Sequence, residues 1–176
     1  KPNSTVIARP AHQIAEMAEI DCSAMPDVKV LLVQECQTGS AYPFSGEKLC
    51  PVLTLYRAED FDGALAQVAE IYAYQGAGHS VGIHTADDAR PMQIAVELPT
   101  CRVIVNQAHC FATGGSFDNA LPFSLSMGCG SWGGNSISEN MNYRHYLNTV
   151  SVVRSIPAQE VSPEELLGDY WARHGK

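Results

Sequence analysis

The feature that most limits how this chain can fold is a hydrophobic period that switches repeatedly between strand-like and helical. "VKVLLVQE" (28–35) and "PVLTLY" (51–56) are short runs with β-branched residues, of the kind buried in a parallel sheet. "AEDFDGALAQVAEIYAYQGAGH" then changes period. Phe61, Leu65, Val68, Ala69 and Tyr72 fall on one helical face, acidic residues occupy the first turn, and Gly76 and Gly78 supply the stop. "SVGIHT" (80–85) is a further strand, and "ADDARPMQIAVELP" is a helix whose Pro91 is tolerated only near the first turn. "CRVIVNQ" (101–107) returns to a strand. Alternation of this kind with short joints predicts an α/β fold: an open, parallel, twisted sheet with flanking helices and right-handed crossovers.

After Gln107 the character changes. Residues 113–136 are rich in Gly, Ser and Asn, and a long irregular segment inside a domain is usually functional. "YLNTVSVVRSI" (146–156) predicts a late strand, and "SPEELLGDYWARHG" a closing helix with Ser162 and Glu165 as a capping box and Pro163 at its first position. The expected organisation is one body over 1–145, a strand over 146–156 and a C-terminal helix within 157–176. The 176 residues suffice for a single domain, and the net charge of −8 without a basic cluster argues against nucleic acid or an anionic membrane as partner. No apolar run reaches the length of a membrane span. Six cysteines without a C-x-x-C pair do not read as a zinc site, so no metal is expected. They read instead as thiols of a cytoplasmic protein.

Five constellations carry possible chemistry. "GCGSWGG" (128–134) has the G-x-G-x-x-G spacing of a dinucleotide loop, but "NSISENMNY" after it is a poor helix opening, and no acidic residue follows at the required distance. The glycines read better as a tight backbone crossing where side chains do not fit. Glu47, just before the strand that begins at Pro51, can accept hydrogen bonds from the two hydroxyls of a ribose, or be an ordinary solvated residue. His79, between glycines and ahead of a strand, suits a general base, or a histidine bonded to a nearby carbonyl. Asn106 stands at a strand's C-terminal end, where open α/β sheets bind ligands. The adjacent His109 and Cys110 invite a Cys/His nucleophile reading, although sequence neighbours rarely face each other.

Taken in order, "SGEKLCPVLTLYRAEDFDGAL", "GAGHSVGIHT", "RVIVNQ" and "SLSMGCGSWGGNSISEN" followed by "HYLN" resemble the CoA-acylating branch of the aldehyde dehydrogenase superfamily. The likeness runs from about the first residues to about position 156, and "NQAHCFATGG" is similar to the acylating sulfoacetaldehyde dehydrogenases. The resemblance implies oxidation of a small aldehyde by NAD or NADP, with coenzyme A as cosubstrate, through a cysteine thioester released as acyl-CoA. It implies that Glu47, with Leu49 beside it, holds the nicotinamide ribose, and that His79 is the catalytic histidine of the acylating branch. Asn106, His109 and Cys110 would line the substrate pocket, and residues 128–134 would form a turn leading to an oligomerisation strand at 146–156.

In that family the nucleophilic cysteine precedes every segment quoted, and none of the six cysteines stands in the matching position. The chain therefore reads as the C-terminal part of a catalytic domain, inactive alone, with the remainder of a parent chain and a second copy as partners. Two other classes stay open: a non-catalytic module that keeps the scaffold, and a cysteine hydrolase using Cys110.

Overall fold

The computed structural model describes residues 3–25 and 27–176. Its strands pair as expected for parallel connections. β1 (Leu31–Gln34) lies beside β2 (Val52–Leu55), with Leu31 opposite Val52 and Gln34 opposite Leu55. β3 (Val81–Ile83) lies beside β4 (Val103–Val105), with Val81 opposite Val103. Four helices accompany them in the first part of the chain: α1 (Ala11–Met17), α2 (Phe61–Tyr74), α3 (Ala89–Glu97) and the single turn α4 (His109–Ala112).

Two features differ from the expected single sheet. Among the described residues the strands form two separate two-stranded sheets rather than one. β1 and β2 also alternate in burial, leaving Leu32, Leu53 and Leu55 exposed, so they are covered on one face only. The apolar run reads as buried on both faces because its outward positions are also leucines, and sequence alone does not reveal whether a layer covers them.

The core forms where the helical and strand periods meet. Leu65 of α2 packs with Ile94 of α3 and with Leu98, and Phe61, Val68, Tyr72, Val81, Ile83 and Val103 close around them. Burying each of these three side chains contributes about 1.5–3 kcal/mol before conformational entropy is counted. Of the predicted α2 face only Ala69 is exposed. Asp60 caps α2 by accepting the Gly63 N–H at 2.8 Å. Pro91 sits within the first turn of α3, where its missing N–H costs nothing.

The first 145 residues form one compact unit and residues 146–176 a second. The second unit contains α5 (Pro163–His174), with Pro163 at its first position and the Ser162 hydroxyl accepting the Glu165 N–H at 3.1 Å. The predicted strand over 146–156 does not form within the single chain. Tyr146 ends a 3-10 turn (Tyr143–Tyr146), and residues 147–162 form neither helix nor strand. Residues 121–127 form no strand beyond one antiparallel bridge from Met127 to Asn140. No helix among the described residues is long and apolar enough to cross a membrane.

Candidate active site

The segment before β3 is built around glycine. Gly78 has φ +91°, and a Cβ there would lie 2.1 Å from the Cys129 carbonyl oxygen. Gly128 has a similar constraint, since its Cβ would stand 2.2 Å from the Ile137 carbonyl oxygen. The glycine run is thus a backbone crossing, with Gly134 in the left-handed region closing a short 3-10 turn (Ser131–Gly133). No helix follows it, so it lacks the geometry of a pyrophosphate loop.

That crossing carries His79 to an exposed position at the mouth of β3. His79 Nδ1 lies 2.6 Å from Ser80 Oγ, and Ser80 Oγ lies 2.9 Å from Nε2 of His109 on α4. The His109 ring rests on Gly82, where a Cβ would meet Nδ1 at 2.6 Å. Burial, followed by the nearby His79, holds His109 below the usual histidine value and favours its neutral form. The structure therefore brings His79 and His109 together through a serine.

The backbone of His79 is held from beneath. Arg102, 5% exposed, donates from Nη1 to the His79 carbonyl at 3.0 Å and to the Gly128 carbonyl at 2.9 Å. Its Nε donates to Asn140 Oδ1 at 2.7 Å, while the Asn140 amide donates to the Thr113 and Pro122 carbonyls, each at 2.9 Å. One guanidinium and one amide thus tie together β4, the His79 segment, the glycine crossing and the loop after α4. Sequence reasoning missed Ser80, Arg102 and Asn140. An arginine inside an apolar strand run was the available signal, because a buried guanidinium must find carbonyl or carboxylate partners.

Glu47 lies on a separate loop. Its side chain is exposed, and its N–H donates to Gln75 Oε1 at 3.1 Å, fastening the loop to the end of α2. Lys48 stiffens the same loop, donating to the Phe44 carbonyl at 2.6 Å, the Gly46 carbonyl at 2.8 Å and Thr54 Oγ1 at 3.0 Å. Partial burial moves the Lys48 ammonium below the usual lysine value, with a smaller opposing influence from Cys50. Leu49 is half exposed with φ +53°, a conformation a non-glycine residue adopts at a cost of about 1–3 kcal/mol. Glu47, Lys48, Cys50, Tyr74 and Gln75 contribute to the wall of a cavity of about 550 Å³. An exposed carboxylate beside such a cavity fits a ribose diol.

Asn106 follows β4 directly, and Cys110 stands on α4. Asn106, at φ +53°, receives the Thr85 N–H on Oδ1 and donates from Nδ2 to the Thr85 carbonyl, both at 2.9 Å. Its amide is committed to joining the chain after β3 to the chain after β4. Cys110 is exposed on α4, while the neighbouring His109 is engaged with Ser80.

Comparison with known proteins fits this geometry into a wider set. The chain is 57% identical over 168 residues to the acylating sulfoacetaldehyde dehydrogenase of Cupriavidus necator, covering 94% of this chain and 34% of that protein. It is 39% identical over 168 residues to a sulfoacetaldehyde dehydrogenase of an Acholeplasma species, covering 96% and 34%. The crystal structure of an acetylating aldehyde dehydrogenase from Geobacillus thermoglucosidasius superposes with a TM-score of 0.78 at 33% identity, over 89% of this chain and 35% of that one. No protein-family model matches. The chain thus spans about a third of the length of the curated relatives it matches.

Proposed function

From its homology to the CoA-acylating aldehyde dehydrogenases over most of its length, we propose that this chain forms part of an NAD- or NADP-dependent oxidoreductase. The reaction joins an aldehyde to coenzyme A and yields an acyl-CoA. Sulfoacetaldehyde is the proposed aldehyde, from the names of the relatives. The observation that carries the reading is His79, an exposed imidazole on a rigid crossing whose Nδ1 is engaged and whose backbone is clamped by Arg102.

In this reading the nucleophilic cysteine lies in the part of the relatives' length that this chain does not span. Glu47, with Leu49 beside it, holds the ribose of the dinucleotide, which supplies the hydride acceptor when bound. Gln75 and Lys48 fix the loop from which Glu47 projects. His79 takes the proton of the coenzyme A thiol as that sulfur attacks the enzyme thioester. Asn106 acts by fixing the ends of β3 and β4 beneath the substrate.

Single-turnover kinetics on the complete enzyme separate the two half-reactions. His79→Ala is expected to preserve the burst of reduced cofactor and slow acyl transfer to coenzyme A. Glu47→Gln is expected to slow the burst about tenfold or more, since a charge-assisted bond to the diol becomes a neutral one. A lost burst with normal acyl transfer in His79→Ala, or an unchanged burst in Glu47→Gln, contradicts the assigned role.

A further inference from the structure

The chain of hydrogen bonds from His79 through Ser80 to His109 imposes a condition that neither histidine has alone. A serine hydroxyl owns one proton. It stands 2.6 Å from His79 Nδ1 and 2.9 Å from His109 Nε2, so it donates to one imidazole and accepts from the other. With both rings neutral, two arrangements satisfy this. In the first, Ser80 donates to His79 Nδ1, which places the His79 proton on Nε2 and leaves that atom unable to accept another. In the second, His79 Nδ1–H donates to Ser80, Ser80 donates to His109 Nε2, and His79 Nε2 keeps a free lone pair. Only the second arrangement makes His79 a base.

The second arrangement is also the one that takes up a proton on His79 without turning the Ser80 hydroxyl. In it His109 is neutral, with its own proton on Nδ1 beside Gly82, and partial burial of the ring disfavours its charged form. When His79 gains a proton, a second cation at His109 is opposed further, so His109 remains an acceptor.

We propose that Ser80 and His109 are positioning residues that hold His79 in its Nδ1–H tautomer, so that Nε2 is the base for the coenzyme A thiol. This rests on the acylating reading above. In the step itself, the thiol sulfur bonds to the acyl carbon of the enzyme thioester and the S–H proton passes to His79 Nε2. The bond between the acyl carbon and the enzyme cysteine sulfur then breaks, leaving that sulfur as a thiolate. Nδ1–H continues to donate to Ser80 throughout, so no proton crosses the serine.

The test uses the complete enzyme and the separated half-reactions, with four variants beside His79→Ala. Ser80→Ala and His109→Phe are expected to slow acyl transfer about 10- to 100-fold while the cofactor burst persists, as loss of a tautomer-setting partner does elsewhere. Ser80→Thr retains the hydroxyl, and His109→Gln retains an acceptor on its amide oxygen, so both are expected to recover most of the rate. If His79→Ala leaves acyl transfer normal, the acylating role of His79 falls and this proposal with it. If His79→Ala slows acyl transfer while Ser80→Ala and His109→Phe do not, the tautomer proposal alone is overturned. Equal losses in His109→Gln and His109→Phe also overturn it, because packing rather than hydrogen bonding then explains the residue.

Discussion

Gly78 and Gly76 share a left-handed backbone but not a neighbourhood, and the difference separates two kinds of glycine. Gly76 has φ +94° with nothing within 4 Å of where a Cβ would lie, whereas Gly78 has φ +91° and the Cys129 carbonyl oxygen at 2.1 Å. Gly76→Ala is therefore expected to cost only conformational strain, about 1–2 kcal/mol. Gly78→Ala adds a backbone clash beneath His79 and is expected to cost roughly 3 kcal/mol or more. Thermal unfolding of the two variants of the complete enzyme compares them directly. Equal midpoints would show that no close crossing exists at Gly78. At this scale the sequence was legible where a residue's own chemistry is peculiar. Glycine spacing without a following helix already implied a crossing, and His79 between glycines already implied a display site. Arg102 and Asn140 were not legible, because their importance comes from carbonyls of Gly128, Thr113 and Pro122 that only the fold brings near them. Asn106 reads as a ligand residue by position, and its amide also bonds the Thr85 N–H and carbonyl.

At the scale of elements, α2, α3, β3 and β4 were readable because one apolar stripe, one cap and one well-placed proline decide each boundary. α1 and α4 escaped, since helices of seven and four residues carry too few turns to show a period. α4 matters out of proportion to its length, because it seats His109 against Ser80 and Gly82. That seating carries a pH dependence. Free histidine titrates near 6.5, and burial with the neighbouring His79 holds folded His109 below that value. Between the two values the unfolded chain binds more protons, so stability is unaffected above about pH 6.5 and declines as pH falls toward and through the lower folded value. Replacing His109 with Gln removes the titration while keeping an acceptor for Ser80. The apparent melting temperature of the complete enzyme is expected to fall less steeply below pH 6.5 in that variant than in the parent. A slope identical to the parent's, or a steeper one, would contradict this account of His109.

At the scale of the whole molecule the segment 146–156 has a strand-like sequence without a partner strand among the described residues. Its sequence alternates as a strand does, with Leu147, Thr149, Ser151 and Val153 on one face and Asn148, Val150, Val152 and Arg154 on the other. Yet within the single chain it makes no ladder, and Val150 and Val153 are 90% and 89% exposed. β-branched side chains left in water cost the hydrophobic stabilisation their burial would bring, and unpaired strand backbone invites another chain. The alternative of an internal strand completing this chain's own sheet has no support in the pairing, because among the described residues the two sheets hold β1 with β2 and β3 with β4. We propose that 146–156 pairs with a second copy, in an isologous contact or part of a larger ring of contacts. Proline at Val152 tests this cleanly. In the isolated chain the substitution disturbs no helix or strand, since none is present there. In a paired strand it removes a ladder donor and places a ring where the partner's backbone must approach. Light scattering on Val152→Pro in the complete enzyme is expected to show dissociation, while circular dichroism stays at the parent's helix and strand content. An assembly that keeps its mass, or a variant that unfolds altogether, would return the segment to a role inside one chain.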